Sequence, residues 1–211
     1  MAGESPGGDV LERLIAESGK TPIKIAEVDN AVCPACGARA MKISEYLYSV
    51  PYFNNIIIGV GECRSCGYRY RDVRLAEATE PKKIIVTVKG EKQLRYLLAK
   101  SPLSAVYIPE TGLEMIPGAV SVGFITTVEG ILHRFHEVAQ VACKEGVVDP
   151  EDLEKCKGVI KWIEEAIEGR RAFTLVICDF DGLSRVIGEP QYVREEDIDE
   201  KCSSLKPGFM E

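Results

Sequence analysis

Histidine is almost absent from this chain: His133 and His136 are the only two in 211 residues. A Ser-His or Cys-His nucleophile pair therefore has little to draw on. The two histidines sit three apart with no third ligand nearby in sequence, and they read as exposed helix residues rather than as a metal site. No glycine-rich loop with a following Lys-Ser/Thr pair occurs, so the chain lacks the usual phosphate cradle of a nucleotide-binding protein. No apolar run approaches the ~20 residues that cross a bilayer as a helix. Asn and Gln are scarce, three of each, beside abundant Glu, Lys and Arg, a balance associated with heat-stable proteins. The first nine residues are rich in Gly and Pro and carry no hydrophobic signal core, so secretion is not expected.

Cysteine is what the chain has instead, eight in all. Four fall in two matched groups, Cys33-Pro34-Ala35-Cys36-Gly37 and Cys63-Arg64-Ser65-Cys66-Gly67. Two residues between cysteines let one tight turn aim both sulfurs at a single ion, and the following glycine can take a positive φ that turns backbone N–H groups toward the sulfurs. Cys33, Cys36, Cys63 and Cys66 are therefore the expected ligands of one structural Zn²⁺, with no open position for catalysis. The remaining four, Cys143, Cys156, Cys178 and Cys202, sit at irregular spacing. The first three are expected as small core residues and Cys202 as a free thiol, in a reducing cytoplasm.

The net charge is −7, unevenly placed. Residues 30–75 carry six cations, Arg39, Lys42, Arg64, Arg69, Arg71 and Arg74, against Glu45, Glu62 and Asp72. A basic zinc module on an acidic body is the footprint of a nucleic-acid reader, and equally of an ordinary solvated surface.

Taken in order, residues 10–18 space Val10, Leu11, Leu14 and Ile15 as a short helix stopped by Gly19. Two β-prone runs lie between the cysteine groups, and Tyr68, Tyr70 and Val73 alternate with Arg69, Arg71 and Arg74 in a third strand. Strands are expected at 83–89, 104–108 and 113–116, with a helix over 91–100 carrying Leu94, Leu97 and Leu98. Short strands punctuated by Pro and Gly indicate a sandwich or jelly roll. The period then changes. Thr126 and Glu129 form a capping box ahead of one amphipathic helix, and Asp149-Pro150 opens a second. Residues 173–178 and 183–187 return to strand, and residues 189–211, with seven acids against three bases, are expected to be a flexible acidic tail.

Several of these segments, in this order, resemble the ZPR-type zinc-finger proteins. The matching motifs are Pro51-Tyr52-Phe53-Asn54, Ile56-Ile57-Ile58, Cys63 to Arg69, Ile108-Pro109-Glu110, Thr126 to Gly130 and Phe173-Thr174-Leu175. The resemblance runs from about Cys33 to about Ile187 and covers one module, as in the single-module archaeal form. It implies an α+β, mainly β chain: a four-cysteine zinc ribbon (30–75) after an N-terminal segment (1–29), then a double-stranded β-helix, jelly-roll-like domain (76–188) with a helical hairpin at about 126–169. It also implies a non-enzymatic protein that binds translation elongation factor 1-alpha and assists its folding. The sequence departs from the family's Asp-Asp-Pro with Cys178-Asp179-Phe180, which puts any partner contact made there in doubt.

Two alternatives remain beside that expectation. A zinc ribbon that binds RNA or DNA fits the basic module. Cys178-Asp179-Phe180-Asp181-Gly182 mimics the Asp-x-Asp strand of aspartyl-phosphate enzymes, but only 29 residues follow Gly182, and an Asp-Gly turn explains the pattern. Because aromatic and Arg side chains dominate interface energies, Tyr52, Phe53, Tyr68, Arg69 and Arg71 are the expected partner-binding residues.

Overall fold

The structure, a computed structural model, describes residues 21–144 and 149–208. The helix expected over residues 10–18 lies outside them. Four antiparallel strands form the first sheet: β1 (Ile23–Val32), β2 (Arg39–Val50), β3 (Asn54–Cys63) and β4 (Arg69–Leu75), in that order. β1 pairs with β2 from Ile23↔Leu47 to Val32↔Arg39. The sequence reading had placed most of it in the N-terminal segment, because Glu27, Asp29 and Asn30 interrupt its apolar pattern. Its register shifts between Val28 and Ala31, around Asn30 at φ 61°.

The second region holds two further sheets. β5 (Lys82–Val88), β7 (Ala105–Ile108), β8 (Leu113–Met115), β10 (Phe173–Asp179) and β12 (Val193–Glu196) form a five-stranded sheet in the order β12-β5-β10-β7-β8. β6 (Leu97–Lys100), β9 (Phe124–Thr127) and β11 (Arg185–Ile187) form a three-stranded sheet in the order β11-β6-β9. The helix expected over 91–100 is a single turn, α1 (Glu91–Leu94), followed by β6. Leu97 and Leu98 belong to a strand whose alternate residues face two different cores: Leu98 points into the main core, while Leu97 and Ala99 face the first sheet.

Alternation along β5 and β10 likewise separates two faces. Ile84, Val86, Val88, Phe173, Leu175 and Ile177 pack on the hairpin helices α2 (Val128–Ala142) and α3 (Pro150–Ile167). Val128, Ile131, Leu132 and Phe135 line α2 at helical spacing, and Trp162 meets Phe173 edge-on at 5.7 Å. The α2 cap is Thr127, whose side chain accepts from the Gly130 N–H at 3.1 Å. The expected box of Thr126 and Glu129 is thus shifted by one residue: Thr127, the last residue of β9 and paired with Leu97, serves as the cap.

The opposite face, Ile85, Ala105, Tyr107, Val176 and Cys178, is covered by Cys202 and Leu205 at the C-terminal end. Residues 189–208 are therefore a structural cover and not the flexible tail expected from their acidity. β12 pairs with β5, and α4 (Glu200–Ser204) is capped by Asp199, which accepts from Cys202 N–H at 2.8 Å. Lys83 bridges Asp199 and Glu196, each at 2.8 Å, and these two carboxylates push its pKa up to about 12, Asp199 contributing more. The four cysteines outside the matched groups are not thiols. Cys143 and Cys156 are bridged across the hairpin, and Cys178 is bridged to Cys202, with Cα–Cα distances of 5.6 and 5.4 Å.

Candidate metal centre and its surroundings

Each cysteine pair sits on a turn built the same way. The Gly37 N–H donates to the Cys33 carbonyl at 2.9 Å, and Gly67 N–H to the Cys63 carbonyl at 2.9 Å. The Cys33 N–H donates to Ala38 O at 2.9 Å and the Cys63 N–H to Tyr68 O at 2.8 Å. Gly37 and Gly67 hold φ at 71° and 73°, a conformation that carries little cost only without a Cβ. The β2–β3 ladder, with Met41 opposite Cys63, brings the two turns together at one end of the sheet.

All four sulfurs lie within 4.8 Å of one another. Cys33 and Cys66 are 3.7 Å apart, and Cys36 and Cys63 3.8 Å. A tetrahedral ion with Zn–S bonds of ~2.3 Å requires sulfurs ~3.8 Å apart, so the cage fits zinc. The Cys63 thiol is pushed down to about 7, first by the backbone N–H of Cys66. The Cys66 thiol gains the Tyr68 N–H, but the sulfurs of Cys36, Cys63 and Cys33, together with burial, outweigh it and push the thiol up to about 12. Four thiolates this close cannot coexist without a cation among them. An ion held by all four sulfurs would have no coordination position left for water or substrate.

The chain's similarity to known proteins agrees with that geometry. Residues 27–81 match the ZPR1 zinc-finger domain, and residues 92–205 match the ZPR1 jelly-roll domain. The chain belongs to the ZPR1 family. A ZPR1-like protein of Pyrococcus horikoshii is 34% identical over 80% of this chain and 77% of its own length. A ZPR1-like protein of Methanocaldococcus jannaschii is 32% identical over 87% of this chain and 92% of its own. The zinc finger chaperone zpr1 of Schizosaccharomyces pombe is 30% identical over 71% of this chain but only 33% of its own length. This ZPR1-family chain is therefore comparable in extent to the archaeal relatives, whereas the match takes in only a third of the yeast one.

The other residues singled out by sequence divide sharply. Tyr52 is 69% exposed at the β2–β3 turn with φ 71°, whereas its neighbour Phe53 is 4% exposed. Phe53 packs with Ile56, Leu75 and Ala99, in the apolar layer where the first sheet meets the three-stranded sheet. Its expected partner-binding role is thus corrected to that of an interdomain anchor. Tyr68 is half-buried beside Cys33, Met41 and Cys63, and Arg69 and Arg71 are exposed. The histidines turn to separate carboxylates, His136 to Glu164 at 3.3 Å and His133 to Glu129 at 3.8 Å, and among the described residues the only metal-sized cluster is that of the four cysteines. Asp179 is fully buried and accepts from the Ser184 N–H at 2.9 Å, so it is out of a phosphate ester's reach.

What the sequence reading missed is the seam between the two regions. Gly123 donates to the buried Asp72 carboxylate at 2.6 Å, and Val73 N–H donates to the Gly123 carbonyl at 3.0 Å. Asp72 also binds Arg74 at 2.9 Å, and Arg74 binds Glu45 at 2.6 Å. The visible signal was Asp72, an acid inside an otherwise basic strand.

Proposed function

We propose that this chain is a non-enzymatic, protein-binding module of the ZPR1 family, held together by one structural zinc, that acts as a chaperone-like partner of translation elongation factor 1-alpha in the cytoplasm. The observation that carries the reading is the closed four-sulfur cage on a ribbon packed firmly against the jelly roll. It supports a rigid presenting surface, and it offers no site for chemistry. The yeast relative named as a zinc finger chaperone supports the same class of activity. No helix among the described residues is long and apolar enough to cross a membrane. Two disulfides are compatible with an intracellular protein of a heat-adapted organism, where such bonds are common.

The charge layout favours a protein over a nucleic acid. With β1 included, residues 23–75 hold seven cations against five carboxylates. Arg64 pairs with Asp29, Lys42 with Glu27, Arg69 with Glu62, and Arg74 with Glu45 and Asp72. Most of the ribbon's basic groups are thus matched internally and not aligned for phosphates.

Affinity capture with purified elongation factor 1-alpha tests the proposal. The zinc-loaded chain should form a complex, and Cys63→Ser should abolish it. Failure of the loaded protein to bind in any nucleotide state of the factor would overturn the reading.

A further inference from the structure

A groove of about 460 Å³ opens at the seam between the ribbon and the jelly roll. Its cationic end gathers around the ring of Phe124. The Arg134 guanidinium lies 4.0 Å from the ring centroid and the Lys100 ammonium 5.7 Å from it, and Arg71 of β4 lines the same groove. Lys100 is 3% exposed and donates to the Ser101 carbonyl at 2.8 Å. Among the described residues none of these three cations has an ion-pair partner, although Arg64, Arg69 and Arg74 nearby each do. A buried ammonium left unpaired is costly. Burial lowers the Lys100 pKa to about 8, Asp181 countering it and Arg134 adding to it. A carboxylate entering the groove would supply these cations with a direct ion-pair partner.

A second groove of about 370 Å³ adjoins the first and is apolar and aromatic, lined by Val32, Met41, Ile43, Tyr68 and Tyr70. Val120 and Ser121 line both grooves, so one loop separates a cationic slot from an apolar one. On that loop two apolar side chains are open to solvent, Val120 at 67% and Ile116 at 53% exposure. A nucleic acid needs cations along its track, whereas here they converge at one end between aliphatic walls. An acidic residue followed by an aliphatic or aromatic one matches both halves.

We propose that this double groove binds an extended acidic–apolar segment of a protein partner, its carboxylate held by Arg71, Arg134 and Lys100 and its apolar side chain seated between Tyr68 and Val120. The inference rests on the protein-binding reading above and names the chemistry that the surface selects.

The test is a random-peptide display library panned on the full, zinc-loaded chain, followed by fluorescence anisotropy on a synthesised winning peptide. The expected result is enrichment of Asp or Glu beside Leu, Ile or Phe. Affinity should fall at least tenfold in Arg71→Glu and Arg134→Glu and in Val120→Asp, but not in Lys161→Glu, which is exposed on α3. Winning peptides without acidic enrichment, or equal binding by parent and charge-reversed variants, would overturn the proposal. Elongation factor capture by the same variants separates the two ideas. A factor still bound by variants that have lost the peptide would overturn the groove as the partner's route and leave the factor reading standing. Peptide selection that succeeds while the factor is never captured would uphold the groove and remove the named partner.

Discussion

The Gly123 amide donates to the Asp72 carboxylate at 2.6 Å while the Gly123 carbonyl accepts from Val73 N–H at 3.0 Å, so one glycine binds the ribbon's last strand through both backbone groups. A Cβ at this position would lie 2.3 Å from the Val73 carbonyl oxygen and 3.0 Å from Pro102. Backbone on one side cannot yield to it. Gly123→Ala is expected to destabilise the chain by ~1–3 kcal/mol, read by urea unfolding. An unchanged midpoint would show that the seam is pliable.

Tyr52 and Phe53 are adjacent but should behave oppositely. Phe53→Ala removes a buried ring from the interdomain layer and is expected to cost ~3–5 kcal/mol. Tyr52→Ala, at an exposed turn, should stay within ~0.5 kcal/mol of the parent. Thermal and urea unfolding of the two variants side by side check this, and equal losses would contradict the assignment.

Asp179 gives the pH dependence. Burial raises its pKa to about 7, the Ser184 N–H opposing and the neighbouring Asp181 carboxylate adding to the rise. Its Oδ1 is buried with no hydrogen-bond partner among the described residues, so a negative charge there would go uncompensated. An unfolded aspartate titrates near ~3.9, so the native state holds the extra proton between the two values. The Asp179 contribution is therefore full below pH ~4 and is lost as pH rises toward about 7. Asp179→Asn keeps an acceptor for Ser184 and should gain ~1–3 kcal/mol on the parent at pH 8, and little at pH 4. A stability difference that does not change with pH would refute the protonated state.

The bridge from Cys178 to Cys202 spans 24 residues, and its loss should cost about 3 kcal/mol. Cys202→Ser should also raise hydrogen exchange in β12 and along β5 while leaving the ribbon unchanged. Undiminished protection in β12 would mean that Lys83 and its two carboxylates hold the cover alone.

The sequence exposed most of the ribbon and the hairpin because their signals are local. Cysteine spacing, glycines past each turn and helical periodicity all act within a few residues. The fold class, with its zinc-finger and jelly-roll regions, was legible from the motif order as well. β1 was hidden because an exposed edge strand with Glu27 and Asp29 has no clean alternation. β6 was hidden because Leu94, Leu97 and Leu98 fit a helix as well as a strand flanked by two cores. The C-terminal cover was misread from its acidity, although the apolar residues on both faces of β10, Leu175 and Ile177 against Val176 and Cys178, already required something to cover the second face. Neither disulfide follows from spacing, because the pairing depends on which elements meet. At the candidate site the clustering of the four cysteines was readable, whereas the opposite fates of Tyr52 and Phe53 depend on a turn at φ 71° that no local pattern announces.

Whether the ribbon stands because four sulfurs share one ion is decided by metal content and ligand set measured on one sample. Elemental analysis with X-ray absorption should give one zinc per chain with four sulfur neighbours at ~2.3 Å. Chelation should then remove hydrogen-exchange protection from β1–β4 while β5 and β10 keep theirs. Nitrogen or oxygen in the first coordination sphere, or a metal-free ribbon as protected as the loaded one, would contradict it.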